Sequence, residues 1–150
     1  AAGFSAYEVS NHARTGAECR HNLVYWRYGD YAAIGPGAHG RISSGRRRYA
    51  SEAVSAPSQW LAAVERGEGV ETISELAPSD QAGEYLMMSL RLSEGTDPDR
   101  FAALSGRDLD PEQVSFLSDL GLIDQRGGRI AATPDGRLVL NQVIGALLPE

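Results

Sequence analysis

A repeated signal for the start of a helix runs through the second half of the chain and constrains its fold more than any other feature. Four of these signals place a proline after a capping or small residue: Ser55-Ala56-Pro57, Asp97-Pro98, Asp110-Pro111 and Thr133-Pro134. Proline is favoured at the first helical position, where its missing N–H has no partner to lose, and Asp, Ser and Thr accept from the free amides that follow. With Ser79 as a further cap, we expect helices that begin near residues 57, 79, 98, 111 and 134.

Apolar residues at helical spacing and terminal glycines give these helices their lengths. The first is expected to end at Gly67, the second near Gly95 and the third at Gly106. A β-hairpin is predicted from Leu122 to Ala132, with its turn at Arg126-Gly127-Gly128. Three helices, a hairpin and a last helix resemble a winged helix, so a mainly α, winged-helix-like domain is predicted for residues 51–150.

The first fifty residues have a different character. They contain Cys19, which is the only cysteine, all three histidines (His12, His21 and His39) and five of the six tyrosines. Short strands are predicted there because of aromatic and β-branched residues, separated by glycine-containing loops. The predicted strands are Ser5–Val9, Asn22–Trp26 and Tyr31–Ile34. Residues 1–50 and 51–150 therefore look like different modules.

Charge and composition exclude several classes of protein. All 14 basic residues are arginine, against 20 acids, and residues 76–150 hold 6 Arg and 12 acids. The natural recognition helix of a winged helix, 111–120, has no basic residue, so we expect no nucleic-acid binding. No run of about 20 apolar residues predicts a membrane span. One cysteine excludes an intrachain disulfide and favours the cytoplasm. The absence of an initial Met favours a truncated chain.

The segment Gly35-Pro36-Gly37-Ala38-His39-Gly40 matches the G-x-G-x-x-G pattern of dinucleotide-binding folds. That site needs a helix starting at the glycines and an acid about 20 residues beyond. The residues that follow predict strand and turn instead, and Glu52 is too near. A Rossmann site is therefore rejected, and two interpretations stay open: a structural turn, or a strand end that lines a ligand.

The segment from Cys19 to Trp26 concentrates most of the reactive side chains. The spacing of its thiol and imidazole to the other histidines matches no familiar zinc pattern, and no positioned third group supports Cys–His catalysis. In a strand, His21 and Tyr25 would share one face and Trp26 would lie on the other. An imidazole beside aromatic surface suits a flat iron-bearing macrocycle. The alternative is a hydrogen-bonded core histidine beside a packed tryptophan.

Several of these segments occur together in one known family. Their order and spacing resemble the oxygen-independent coproporphyrinogen III oxidase-like radical S-adenosylmethionine (SAM) proteins, specifically the haem-chaperone branch. The most specific element is H-N-x-x-Y-W, intact at residues 21–26. The matching segments are Tyr7-Glu8-Val9-Ser10-Asn11-His12-Ala13-Arg14, Glu18–Trp26, Gly29-Asp30-Tyr31, Gly35–Gly40, Leu120-Gly121-Leu122-Ile123, Thr133-Pro134-Asp135-Gly136-Arg137 and Leu140-Asn141.

The resemblance implies a fold and a function. Residues 1–50 would be the last strands of a partial (β/α) barrel, an α/β remnant followed by the family's C-terminal helical domain. The function would be binding haem and delivering it to acceptor proteins, including respiratory ones; the alternatives are oxidation of coproporphyrinogen III and a plain helical interaction or nucleic-acid module. The resemblance assigns haem binding to His21, Asn22, Tyr25 and Trp26, with His21 as candidate iron ligand, and the SAM or substrate side to Gly35, Gly37 and Ala38.

The cofactor pattern departs from the family at one point. The family binds a 4Fe-4S cluster through C-x-x-x-C-x-x-C, whereas this chain has Cys19 alone. SAM and the cluster are therefore expected only in a full-length parent, and this segment alone should perform no radical chemistry. A homodimer is a further expectation, because strands cut from a barrel expose unpaired edges.

Overall fold

The computed structural model describes residues 3–45 and 47–148. In these ranges the helices are α1 (Arg20–Trp26), α2 (Pro57–Glu65), α3 (Pro78–Ser89), α4 (Pro98–Ser105), α5 (Pro111–Asp119), α6 (Pro134–Leu138) and α7 (Leu140–Leu147). The strands are β1 (Ser5–Ala6), β2 (His12–Ala13), β3 (His39–Ser44), β4 (Arg47–Ala53), β5 (Val70–Glu75), β6 (Ile123–Arg126) and β7 (Arg129–Ala132). The chain thus contains both helices and strands, which agrees with the predicted combination of an α/β part and a mainly α part.

The residues form two compact units. One joins the residues up to Tyr28 with those from Pro78 onward, and the other comprises Gly29–Ala77. These bounds differ from those of the predicted segments 1–50 and 51–150. The predicted segments divide the chain between two domains of the family, and that division stays a prediction. Among the described residues, no helix combines the length and the apolar character that crossing a membrane requires.

The larger unit has one apolar core built by its helices and its hairpin. Tyr85 and Leu86 of α3, Phe101 of α4 and Val143 of α7 are each at most 1% exposed. They pack with Ile123 of the hairpin in one cluster. Burial of such side chains contributes roughly 1.5–3 kcal/mol each to folding. The helices are held in place by this cluster, and α1 packs against α3.

Three of the five predicted helix starts are confirmed by side-chain caps, whereas α2 begins at Pro57 without one and Ser79 lies inside α3 instead of capping it. The Asp97 side chain accepts from the amides of Asp99 and Arg100, Asp110 accepts from Glu112, and Thr133 accepts from Gly136. The predicted hairpin is confirmed as β6 and β7, with Arg126 paired to Arg129 across the turn. Two helix ends differ from expectation: α3 stops at Ser89 rather than near Gly95, and the last helix is broken at Val139 into α6 and α7.

The smaller unit is an antiparallel sheet with helix α2. Its strand order is β3-β4-β5. The buried Arg48 guanidinium donates to Asp30 Oδ1 at 2.8 Å and to the Gly29 carbonyl at 2.9 Å. Burial raises the pKa of Asp30, but the hydrogen bonds from Ser43 and the charge and hydrogen bond of Arg48 outweigh burial, so the pKa lies below its ordinary value.

Three strand predictions for the first fifty residues need correction. Asn22–Trp26 is helical, as part of α1. Tyr31–Ile34 is not a strand, and only Tyr31 forms a bridge, to Arg41. Ser5–Val9 is a strand only at Ser5–Ala6, which pairs with β2, while Glu8 bridges to Leu92. In a segment as short as residues 22–26, the spacing of apolar residues fits both the two-residue period of a strand and the period of a helix. The sequence pattern therefore did not reveal that this segment is helical.

Candidate functional site

Helix α1 places the four predicted haem-binding residues in two pairs with helical spacing. His21 and Tyr25 lie four residues apart, as do Asn22 and Trp26, so each pair shares a side of the helix. The predicted strand is therefore wrong, although it placed His21 with Tyr25 and Asn22 with Trp26, the same two pairs that the helix forms. The helix follows Cys19, which is exposed and makes no side-chain cap.

The His21–Tyr25 pair is a direct contact at the surface. His21 Nε2 lies 3.1 Å from the Tyr25 hydroxyl, and the two rings meet edge to face with centroids 4.8 Å apart. His21 is exposed, whereas Tyr25 is half-buried. This exposure excludes the alternative of a core histidine and leaves the imidazole accessible to a ligand.

The second pair is anchored by residues from two other segments. The Asn22 side-chain amide donates to the Tyr7 hydroxyl at 3.4 Å. The Arg91 guanidinium lies over the Trp26 ring, 5.8 Å from its centroid. A cation at this distance from an indole face is attracted by the ring's electron density. Trp26 thus has an arginine on its ring rather than only apolar packing.

A cavity of about 280 Å³ opens beside this helix. It is lined by Asn11, Asn22, Tyr25, Trp26 and Met88. Three of the four predicted haem-binding residues therefore contribute to one concave surface, together with Met88 of α3. Apolar and aromatic walls with a few polar groups are typical of ligand sites.

The turn that carries Asn11 to this cavity is organised around a buried carboxylate. Glu8 is 1% exposed, and its Oε1 accepts from the amide of Ser10 at 3.0 Å and from Asn11 Nδ2 at 2.5 Å. The Ser93 amide donates to the Tyr7 carbonyl at 2.9 Å, which ties the turn to the chain after α3. Glu8 therefore orders one wall of the cavity from within the fold.

Gly35, Gly37 and Ala38 lie in the smaller unit, where they form the turn before β3. Gly35 and Gly37 have φ of 111° and 67°, which glycine adopts without strain. The Gly37 amide donates to the Val54 carbonyl at 2.9 Å, and the Ala38 amide donates to the Gly35 carbonyl at 3.3 Å. The turn is thus bonded within its own unit, and its assignment to the SAM or substrate side stays a prediction.

Metal ligands are sparse in the part of the chain that the structure describes. No group of three or more His, Cys, Asp or Glu side chains is placed to hold a metal ion there. With Cys19 as the single thiol, the residues do not fit a 4Fe-4S cluster, which needs several thiolates. Haem is a different case, because one axial imidazole such as His21 can bind its iron.

The sequence did not single out several residues that the structure brings to this site. Asn11, Met88 and Arg91 lie at or beside the cavity, and Tyr7 anchors Asn22. Asn11 and Tyr7 belong to residues 7–14, one of the segments that carry the family resemblance, so that resemblance could have identified them as site residues. Met88 and Arg91 come from α3 and the residues after it, so no local pattern connects them with residues 21–26.

Comparison with known proteins agrees with the resemblance found in the sequence. A family model described as HemN C-terminal domain matches residues 76–139. The chain is 34% identical over 99% of its length to "Heme chaperone HemW" of Bacillus subtilis, and 37% identical over 99% to the Mycobacterium tuberculosis (H37Rv) protein of that name. These matches cover 39% and 36% of the two relatives, so the chain spans less than half of their length.

A solved structure gives the same answer for the fold. Coproporphyrinogen III oxidase HemN of Escherichia coli, a radical SAM enzyme, is similar with a TM-score of 0.66, over 97% of this chain and 37% of that one. Its sequence identity is 18%, so this likeness concerns the fold alone. The predicted resemblance to the coproporphyrinogen III oxidase-like proteins and their haem-chaperone branch is confirmed.

Proposed function

We propose that this chain is the haem-binding C-terminal part of a haem chaperone of the HemW type, which binds haem and delivers it to acceptor proteins. The observation that carries the proposal is the H-N-x-x-Y-W set on α1, which exposes His21 and lines a cavity with Asn22, Tyr25 and Trp26. The name shared by the bacterial relatives supports it.

The chemistry of these side chains fits the proposed ligand. The ring system of haem is flat and apolar, so it gains by leaving water for the surfaces of Tyr25 and Trp26. His21 has an exposed imidazole, and its Nε2 would exchange the Tyr25 hydroxyl for haem iron. A single exposed axial histidine allows the release that a carrier needs, because the ligand is not enclosed.

The finer points of architecture are part of the same proposal. The helices α3 to α5, the β6–β7 hairpin and α6–α7 follow the order of a winged helix. The residues before 50 would complete a radical SAM barrel in the full-length protein. SAM and a 4Fe-4S cluster would be held by that protein outside this chain, with Gly35, Gly37 and Ala38 on the SAM or substrate side.

The proposal also covers location and partners. We infer a cytoplasmic protein whose partners are haem and haem-accepting proteins, including respiratory ones, and which can form a homodimer. The segment alone is expected to carry out no radical chemistry because it has a single cysteine.

Haem titration of the full-length protein tests the function and the role of His21. The wild type should bind haem with a shifted Soret band, and His21→Ala should change that band and weaken binding by about tenfold or more, as expected when a ligand to a charged centre is lost. His12→Ala is the matched control, because His12 is an exposed histidine of the same unit on β2. Identical spectra for wild type and His21→Ala would remove His21 as a ligand, and no haem binding by the wild type would refute the function.

A second candidate comes from the enzyme class. The match of residues 76–139 to the HemN C-terminal domain favours oxygen-independent coproporphyrinogen III oxidation as the alternative. Reconstituted full-length protein that forms protoporphyrinogen IX would support the enzyme over the chaperone.

A further inference from the structure

A second cavity lies next to the tryptophan of the motif, within the same unit. Its volume is about 360 Å³, and its walls include Arg91, Arg137, Val9, Leu138 and Leu140. Arg91 lines this second cavity, and its guanidinium lies over the ring of Trp26, which lines the first. The cavity lined by Tyr25 and Trp26 and the cavity lined by the two arginines are therefore related through the contact between Arg91 and Trp26.

The charges of this cavity are not balanced. No acidic side chain is among the described residues that line it. Arg137 is half-buried at the end of α6, and its guanidinium has no hydrogen-bond or ion-pair partner within the ranges that the structure describes. Arg91 donates once, from Nη1 to the Met87 carbonyl, and its other guanidinium donors have no protein acceptor in those ranges. Within the described ranges Arg137 thus has no protein partner and Arg91 has only a neutral carbonyl, so neither positive charge is neutralised and both guanidinium groups are suited to an anionic ligand.

The apolar walls point to the rest of that ligand. Leu138 is 84% exposed and Val9 is 46% exposed, although both lie beside the two arginines. Leaving such side chains in water forfeits roughly 25 cal/mol per Å² of apolar surface that a ligand could cover. The cavity therefore suits a molecule with an extended apolar body and carboxylate groups at one edge.

We propose, on the basis of the haem-binding function above, that Arg91 and Arg137 bind the two propionate carboxylates of haem while its ring lies against Trp26 and Tyr25. Guanidinium and carboxylate groups form charge-assisted pairs of matching geometry. Arg91 then has two tasks: it orients the Trp26 ring by its cation–π contact and it binds a carboxylate. Recognition of the propionates fixes which edge of the macrocycle faces the arginines.

The test compares haem with haem dimethyl ester, in which both carboxylates are neutral, on the full-length protein in the same dilute detergent. The wild type should bind haem at least tenfold more tightly than the ester, because each charge-assisted pair lost costs about tenfold in affinity. The double variant Arg91→Gln/Arg137→Gln should bind haem about as weakly as the wild type binds the ester. It should also bind the two ligands nearly equally.

Two further variants separate carboxylate recognition from general effects. Arg126→Gln removes an arginine whose side chain is 80% exposed, on the hairpin, where it pairs with Asp124, and it should leave the preference for haem intact. Arg91→Lys keeps a cation near Trp26 and should retain part of the preference. Circular dichroism of each variant checks that it is folded.

The outcomes distinguish this inference from the function on which it rests. Equal binding of haem and the ester by the wild type would overturn the inference and leave the chaperone function standing, as would an unchanged preference in the double variant. Failure of the wild type to bind either ligand would refute the function itself.

Discussion

Gly136 lies where the start of α6 crosses the chain before the hairpin. A Cβ atom at this position would be 1.8 Å from the Leu122 carbonyl oxygen and 2.8 Å from its carbon. That carbonyl already accepts from the Thr133 amide at 3.0 Å, and the Thr133 hydroxyl donates to the Gly121 carbonyl at 2.7 Å, so the backbone has little freedom to move away. Gly136→Ala should therefore lower the free energy of unfolding by roughly 3 kcal/mol, which urea denaturation measures.

Gly145 provides the matched control for that substitution. It lies within α7, and a Cβ atom there would meet no atom within 4 Å. Gly145→Ala should raise stability by roughly 0.5–1 kcal/mol, because alanine is the better helix former. A Gly136→Ala protein as stable as the wild type would show that α6 can shift away from Leu122.

The residues of the candidate site differ in how far the sequence alone could identify them. His21, Asn22, Tyr25 and Trp26 lie within six positions, so their spacing was informative even though the local structure was assigned wrongly. Arg91 and Arg137 are far from residue 26 in sequence, and each alone looks like an ordinary surface arginine. Their proposed role depends on tertiary structure, which places Arg91 over the Trp26 ring and puts both arginines in the lining of one cavity.

At the scale of elements, helix α4 depends on a single cap. Asp97 Oδ1 accepts from the amides of Asp99 at 3.0 Å and Arg100 at 3.3 Å, and Pro98 follows it. Asp97→Ala leaves these amides without that acceptor and should cost about 1 kcal/mol of stability. Thermal unfolding followed by circular dichroism measures the change.

Asp97→Asn is the informative comparison, since it removes the charge but keeps a capping oxygen. Asparagine caps helices about as well as aspartate, so most of the stability should remain. If the two variants were equally unstable, the charge of Asp97, rather than its hydrogen bonds, would be the stabilising factor.

Whether the sequence predicted an element depended on whether the residues that determine it are close together in the sequence. The caps at Asp97, Asp110 and Thr133 act within a few residues, so the sequence predicted α4, α5 and α6 near their observed starts. Strands β4 and β5 are stabilised by pairing with each other and β4 also with β3, which is non-local. Residues such as Arg47 to Ala53 carry no strong alternation, and α1 is short enough for either period to fit. Tertiary pairing therefore decided these elements.

At the scale of the whole molecule, the distribution of charge allows two opposite effects: a small anion can be attracted at one site while a large polyanion is repelled. The formal net charge is −6, and residues 76–150 contain 12 acids against 6 arginines. Two of those arginines, Arg91 and Arg137, share a cavity with no acidic side chain among its described lining residues. An acidic protein can thus bind a small dianion locally while its overall field repels a polyanion.

A test of DNA binding therefore distinguishes the proposed haem-binding function from the alternative of a nucleic-acid-binding module. Duplex DNA is bound mainly through its phosphates, and helix α5, the recognition helix of the proposed winged-helix arrangement, offers no basic side chain. The protein should produce no shift of duplex DNA in a gel at physiological salt. Replacing Glu112, Asp119 and Asp124 with Gln or Asn should not create one, since neutralising acids adds no phosphate contacts. A clear shift by the wild type, weakening as salt is raised, would contradict the haem-directed interpretation of its arginines and favour the alternative of a nucleic-acid-binding module.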